Sequence, residues 1–324
     1  MPIDALIIGA GGQDGFYLML ELLDRGKRVV AVYRNQESYL VGLNDLEHLG
    51  SDQLKNLTRI YGSFESKVVC TELLAKYRPS VVFHLAGVNL PSNSTQFENS
   101  KIAEAMFRTH CLITENVLQC LKESRNSRLI VALSSRMFRK PTTEDLLLSS
   151  SSIPTPFDYY GFTKSAAWNS VKFYREKYSV EAYGVILFNH DSPRRKSGFL
   201  IPHLVNEFRR ALNGEIFYFE INNWASRQDW SDSRDVANAL SQLVENPTKS
   251  DLAIGTGQGM SVNQIVLDTI QLLNLDQARF CSKFSIPTFV PFEPTLIADL
   301  SELSALFPWT PQRTVPNLIV EQLQ

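Results

Sequence analysis

The chain has 324 residues, 44% of them hydrophobic and 20% charged, and a formal net charge of −2. This is the composition of a soluble globular protein, long enough for one large α/β domain with an appended part or for two domains. The near-neutral charge leaves no electrostatic footprint for nucleic acid or for an anionic membrane.

Four cysteines (Cys70, Cys111, Cys120 and Cys281) and five histidines are scattered without metal-ligand spacing, so no metal is expected. No apolar run approaches the ~18 residues of a membrane span, and no leader-like segment precedes the first apolar run. The expectation is a cytoplasmic protein with reduced thiols. The Asn-x-Thr triplets at Asn56 and Asn93 read as accidental in that compartment.

Taken in order, Ala5-Leu6-Ile7-Ile8 predicts a buried strand. It runs into Gly9-Ala10-Gly11-Gly12-Gln13-Asp14-Gly15, then into an amphipathic helix from about Phe16 to Asp24 that Gly26 ends. Val29 to Val32 is the next strand. Strand, glycine turn, helix and strand within roughly thirty residues form the pattern of a dinucleotide site. Glycines at Gly9, Gly12 and Gly15 let backbone N–H groups approach a pyrophosphate at the helix N-terminus, where the dipole favours an anion. A site selective for NAD usually carries a carboxylate after the second strand, on the ribose 2′-hydroxyl. Here Tyr33-Arg34-Asn35 offers an arginine and no carboxylate. Arg34 suits a 2′-phosphate, so NADP is expected over NAD; a merely solvated Arg34 is the alternative.

Residues 36 to 58 are polar with helical potential. Arg59-Ile60-Tyr61 predicts a third strand ending at Gly62-Ser63, followed by a helix near Lys67 to Lys76. Val81-Val82-Phe83-His84-Leu85 is the fourth strand. It closes on Ala86-Gly87, small residues that let a flat ring or a ribose approach the backbone. His84 reads as a core histidine with its hydrogen bonds satisfied. A long helix fits Lys101 to Glu123, and the fifth strand, Leu129 to Leu133, ends on Ser134-Ser135-Arg136. Residues 140 to 156 contain Ser149-Ser150-Ser151-Ser152 and three prolines, and read as a flap over a site. Tyr160 opens a helix running to about Tyr178, and Val185 to Phe188 is the sixth strand. Strands alternating with helices predict an α/β fold with a parallel sheet covered on both faces.

Tyr160 and Lys164 stand one helical turn apart on one face. An ammonium there favours the phenolate. Bringing a tyrosine from about 10 towards 7 takes roughly 4 kcal/mol of differential stabilisation. A tyrosine so tuned exchanges a proton with a substrate hydroxyl near neutral pH. Ser134 and Ser135 end a central strand, where ligands bind in open α/β sheets.

The glycine turn, the strand-ending Ser134 and the Tyr160-x-x-x-Lys164 helix 26 residues later together resemble the extended short-chain dehydrogenase/reductases that modify nucleotide sugars, the NAD-dependent epimerase/dehydratase family. The match narrows further. Gly12-Gln13-Asp14-Gly15-Phe16-Tyr17-Leu18 and Leu187-Phe188-Asn189-His190-Asp191-Ser192-Pro193-Arg194-Arg195 are similar to runs of the GDP-mannose 4,6-dehydratases, and Asp229-Trp230 and Gly255-x-Gly257 also fit.

The resemblance implies a Rossmann-type doubly wound parallel sheet with a smaller C-terminal substrate lobe. Residues 1–188 plus about 231–258 would bind the dinucleotide, and about 189–230 plus 259–324 the nucleotide sugar. In the second lobe it implies a helix from Gly198 to Asn213 and a strand from Phe217 to Phe219; Val236 to Val244 would be a helix returning to the first. It gives Ser134 the sugar hydroxyl, Tyr160 the proton, and Lys164 the nicotinamide ribose and the tuning of Tyr160. With Gly9, Gly12, Gly15, Arg34, Ala86 and Gly87, the implied cofactor contacts are Gln13, Asp14, Ser63, Phe64, Leu85, Leu187, Asn189, His190 and Arg195. The implied substrate contacts are Ser135, Arg136, Asn189, His203, Arg227 and Gln228. A homodimer or homotetramer is also implied.

The sequence departs from these dehydratases at the chemistry. Their C5 base is a glutamate two residues after the catalytic Ser or Thr. Here that place is Arg136, which stays protonated and cannot act as a base. A one-residue slip brings no carboxylate, since Leu133, Ser135 and Met137 carry none. Asp191 or Glu144 would have to serve in a true dehydratase.

The expected nucleotide pocket has drifted too. Its cations become His203 and Gln228 beside Arg227. A late Arg-Pro-x-Glu segment becomes Phe289-Val290-Pro291-Phe292-Glu293, and an Asp-Leu pair at adenine becomes Ser63-Phe64. Lost cations facing a diphosphate cost several kcal/mol unless replaced, and Arg136 is one candidate replacement. The expectation is an NADP-dependent oxidoreductase acting at C4 of a nucleotide-linked sugar, GDP-linked in first place, as a 4-ketoreductase, a 4-dehydrogenase or an epimerase. Two alternatives stand beside it: a GDP-mannose 4,6-dehydratase with its base elsewhere, and a non-catalytic NADP-binding partner protein. The intact Ser134, Tyr160 and Lys164 argue against the second.

Overall fold

The computed structural model describes residues 3–41, 46, 49–89, 100–215 and 217–324. Twelve strands are assigned among them: β1 Ala5–Ile8, β2 Val29–Tyr33, β3 Leu57–Tyr61, β4 Val81–His84, β5 Arg128–Ser134, β6 Leu146–Leu148, β7 Ala182–Leu187, β8 Asn189–Asp191, β9 Arg227–Asp232, β10 Leu252–Ile254, β11 Gly259–Ser261 and β12 Leu296–Ala298. Seven form one parallel sheet in the order β3-β2-β1-β4-β5-β7-β10. The apolar runs read from the sequence make its central strands. Every residue of β1, β2 and β4 is buried, because helices cover both faces.

Alternation along each strand divides the core in two. Leu6, Val30, Val82 and Leu129 face one side with Leu118 and Trp168. Ile7, Ala31, Phe83 and Ile130 face the other with Leu18, Leu22, Val236 and Leu240. The helix Ser233–Gln242 therefore packs on the same face as the helix Gln13–Asp24, and the chain comes back to the sheet after β9. A third core joins Ile201, Leu204 and Phe208 of the helix Leu200–Leu212 to Ile265, Phe284 and Leu318. Two small sheets, β11-β9-β8 and β12-β6, link it to the rest.

Register sets the ends of the strands. Ile8 lies opposite Val32 and His84, and Ser134 opposite Leu187, so the carboxyl ends of β1, β2, β4, β5 and β7 share one edge. That edge is where an open α/β sheet takes its ligand.

Four local expectations are corrected. The helix expected from Lys101 to Glu123 runs unbroken from Ser100 to Ser124 but is not α-helical throughout: Ser100–Phe107 and Ile113–Ser124 flank a π-turn, Arg108–Leu112. Residues 217–219 are irregular rather than a strand: Phe217 and Phe219 face the third core with ring planes 17° apart, and the Ile221 N–H closes a tight turn onto Phe219 O at 3.0 Å. The 140–156 segment is pinned rather than loose: β6 pairs in parallel with β12, and Asp145 pairs with Arg227. His84 is only half satisfied, with Nε2 3.1 Å from Thr109 O and Nδ1 without a partner among the described residues. Burial, then the Lys164 charge, holds its imidazole neutral, with a pKa pushed down to about 3. Asn56 donates to Gly26 O at 3.4 Å; the Asn93 triplet lies outside the described residues.

Candidate active site

The turn after β1 is built for close approach. Gly9 has φ +95°, and a Cβ there would lie 2.6 Å from Ala86 N. A Cβ on Gly15 would overlap Gly9 O. The turn thus closes against the end of β4 and leaves no room for a Cβ at Gly9 or Gly15. Gly12 caps the following helix and brings no side-chain hydrogen bond to it. A helix N-terminus reached over bare backbone fits a pyrophosphate. Arg34 stands exposed at the end of β2. Gly87 is close to Lys164, whose Nζ would be 3.9 Å from an added Cβ. These residues fit a nicotinamide dinucleotide. Phe64 and Leu187 are core side chains, so only their backbone could touch a ligand. Phe64 O already accepts from Asn116 Nδ2 at 2.9 Å. Ser63 Oγ accepts from Glu65 N at 3.4 Å. Leu85 is half-buried against the sheet and donates its N–H to Ile8 O.

Gln13 and Asp14 lock the turn to the β8 region. Gln13 Oε1 accepts from Ser192 Oγ at 2.7 Å, and Asp14 Oδ1 lies 2.9 Å from His190 Nε2. His190 Nδ1 faces Phe188 O at 2.6 Å. Both ring nitrogens therefore meet acceptors, which is the arrangement of an imidazolium. Burial opposes that charge, but Asp14 outweighs it and raises the His190 pKa. Burial likewise opposes the Asp14 carboxylate; His190 prevails and lowers its pKa to about 2.

The serine, tyrosine and lysine converge. Ser134 ends β5; its hydroxyl accepts from Arg136 N at 3.3 Å and is close enough to Tyr160 to lower that phenol's pKa. Asp158 caps the helix Tyr159–Tyr178, with Oδ1 accepting from Gly161 N at 2.7 Å. Its other oxygen pairs with Arg136. A Cβ on Gly161 would overlap Arg136 O, so the first turn of the helix rests directly on the end of β5. Arg136 lies over the Tyr160 ring, Cζ 5.1 Å from its centre.

Lys164, expected to tune Tyr160, makes its hydrogen bond elsewhere. Its Nζ donates to Ala132 O at 2.7 Å and lies 5.9 Å from the Tyr160 ring centre. Burial raises the Tyr160 pKa; the groups that oppose it most are Ser134 and then Arg136. Tyr160 is consequently a protonated phenol at neutral pH. Burial also lowers Lys164, to about 8.

The expected substrate residues scatter. Arg227 is held by Asp145 at 2.9 Å, by Glu293 O and Gly259 O, and by the Phe292 ring at 4.4 Å. It clamps β9 to the 140–156 segment. His203 is half-buried with Nε2 3.1 Å from Glu220 O, Gln228 is half-buried on β9, and Ser135 is buried in a single 3₁₀ turn. Asn189 O accepts from Ser231 Oγ. The two suggested bases differ in surroundings. Glu144 is exposed. Asp191 is 1% exposed, and Arg195 Nε stands 3.2 Å from its Oδ1 without hydrogen-bond alignment. Burial raises its pKa to about 6. Arg195 also stacks on Phe199 at 4.0 Å.

Sequence reasoning missed Asp158 and His110. Asp158 carried a readable signal, an aspartate just before a helix start. His110 carried none, since only the π-turn directs it inward.

The sequence model of GDP-mannose 4,6 dehydratase matches residues 6–322. The chain belongs to that family. It is 26% identical over 351 residues to the GDP-mannose 4,6 dehydratase of Cricetulus griseus, covering 99% of this chain and 90% of that protein. Its fold matches MoeE5 in complex with UDP-glucuronic acid and NAD (TM-score 0.71, 23% identity, 99% and 97% of the two chains). It also matches the UDP-glucuronic acid 4-epimerase of Bacillus cereus in complex with UDP-glucuronic acid and NAD (TM-score 0.76, 18% identity, 98% and 97%). Among its described residues no helix is long and apolar enough to cross a membrane, and no acidic, histidine and cysteine cluster suits a metal.

Proposed function

We propose that the protein is an NADP-dependent nucleotide-sugar oxidoreductase that transfers hydride at sugar C4 without dehydration, and that its favoured direction is reduction of a 4-keto sugar. The observation that carries this reading is the Arg136–Asp158 pair over Tyr160. It fills the place of a C5 base with a cation, and its one carboxylate is spent on the helix cap and the arginine. Tyr160, kept protonated by burial, donates to a carbonyl oxygen that Ser134 also holds. The bound dinucleotide supplies the hydride. The glycine turn, Gly87 and Lys164 would hold it, and exposed Arg34 with no carboxylate beside it favours a 2′-phosphate. A GDP-linked sugar is the first candidate substrate because of the family. Residues 1–188 plus about 231–258 serve the dinucleotide, and about 189–230 plus 259–324 the sugar nucleotide. Phe107, Phe162 and Phe173 are 47%, 51% and 53% exposed on the two neighbouring helices, which supports a homodimer through that face.

The test is NADPH absorbance with a panel of nucleotide sugars and their 4-keto forms. A 4-keto form should be consumed by the wild type and not by Tyr160→Phe. Indifference of turnover to that substitution would refute the role of Tyr160.

A further inference from the structure

His110 has no part in the chemistry above, yet it touches both the Tyr160 helix and the Gly87–Val88 segment. It lies in the π-turn, is 1% exposed, and meets the Tyr160 ring edge-on at 90°, 5.3 Å between centres. Its Nδ1 is 2.8 Å from Thr163 Oγ1, and that hydroxyl donates to Tyr160 O at 3.0 Å. A hydroxyl has one proton, so Nδ1 carries the proton of the first bond. Nε2 is then an acceptor, and it takes the N–H of Val88 at 3.2 Å. The two bonds agree on one neutral tautomer. Burial, and then the Lys164 charge, holds the ring far below the usual imidazole pKa.

The π-turn that aims this ring is itself anchored. Thr109 O meets His84 Nε2 at 3.1 Å, and His110 O accepts from Thr114 Oγ1 at 2.6 Å. Single π-turns inside helices recur at functional sites because they redirect one side chain without ending the helix.

We propose that His110 is a positioning residue. Its neutral ring clamps the ring and backbone of Tyr160 to the Gly87–Val88 end of β4, so that the proton donor and the dinucleotide cradle keep one geometry. The inference rests on the reading of Tyr160 as proton donor, and the test separates the two.

The full chain is labelled with 3-fluorotyrosine, and the Tyr160 fluorine resonance is assigned by its loss in Tyr160→Phe. His110→Gln and Thr163→Val should each shift that resonance. Each should also lower kcat for a GDP-linked 4-keto sugar with NADPH about 10- to 100-fold while KM stays within about twofold. His110→Asn, which keeps a donor near the Nδ1 place, should recover part of the loss. Thr163→Val keeps the test open if His110→Gln does not fold. An unmoved Tyr160 resonance in both variants overturns the clamp whatever the turnover does. If Tyr160→Phe turns over normally, the proton-donor reading falls, and the resonance still decides whether His110 holds the ring.

Discussion

The guanidinium of Arg136 stands 5.1 Å from the centre of the Tyr160 ring and is paired with Asp158, the residue that caps the Tyr160 helix. One ion pair therefore joins the end of β5, the start of that helix and the phenol. The position two residues after Ser134 thus holds a cation and no carboxylate.

Substitutions in that pair should be strongly non-additive. Arg136→Met takes the guanidinium from Asp158 and leaves its cap bond, and Asp158→Asn takes the carboxylate charge from the guanidinium. Each single change should lower turnover about tenfold and stability by about 1–3 kcal/mol. The double variant should cost little more than either alone. A double-mutant cycle on kcat and on urea unfolding reads this directly; simple additivity would mean that the pair does not act as a unit.

The glycine turn should tolerate no side chain. At Gly15 a Cβ would overlap Gly9 O, and at Gly9 it would meet Ala86 N at 2.6 Å on a backbone with φ +95°. Gly9→Ala and Gly15→Ala should each destabilise the fold by about 1–3 kcal/mol. Both should remove dinucleotide binding measured by NADPH fluorescence. Gly26→Ala has open space around its Cβ but φ +69°, so it should lose stability with binding unchanged in the folded fraction.

Much of this was legible in the chain itself. Continuous apolar strands such as Ala5–Ile8 and Val81–His84 could only be buried on both faces, and the glycines after the first fixed the cradle. The Tyr160–Lys164 spacing put both groups on one buried helix face. What spacing cannot reveal is where a long side chain ends up. Lys164 turns to Ala132 O instead of the phenol, and Arg227 turns to Asp145 instead of an open pocket. Those choices depend on acceptors far away in sequence. The π-turn at His110 was invisible for the same reason, because its register is kept by His84 from another element.

The Asp14–His190 pair gives a pH signature. His190 has a folded pKa above its usual 6.5, so its contribution is complete below that value and fades as pH rises through the folded one. Asp14 falls from 3.8 to about 2, so its contribution is present above its unfolded value and fades as pH drops towards 2. The stability difference between wild type and Asp14→Asn should therefore be largest between about pH 4 and 6.5, up to about 2 kcal/mol, and shrink on either side. Urea unfolding across that range is the check; a difference that grows steadily with pH would contradict the pair.

Cofactor choice should follow Arg34. Arg34→Ala should weaken NADPH about 10- to 100-fold and leave NADH nearly unchanged, the loss of one charge-assisted contact to a 2′-phosphate. Equal effects on both dinucleotides would remove Arg34 from that role.

The central claim is hydride transfer without loss of water. Mass spectrometry tests it most directly, on GDP-mannose with NADP+ and on a GDP-linked 4-keto sugar with NADPH, both in heavy water. The account predicts that the 4-keto sugar gains two hydrogens and that no GDP-mannose product is lighter by one water. A product lighter by one water and carrying solvent deuterium would contradict it, and would require a base that Arg136 cannot be.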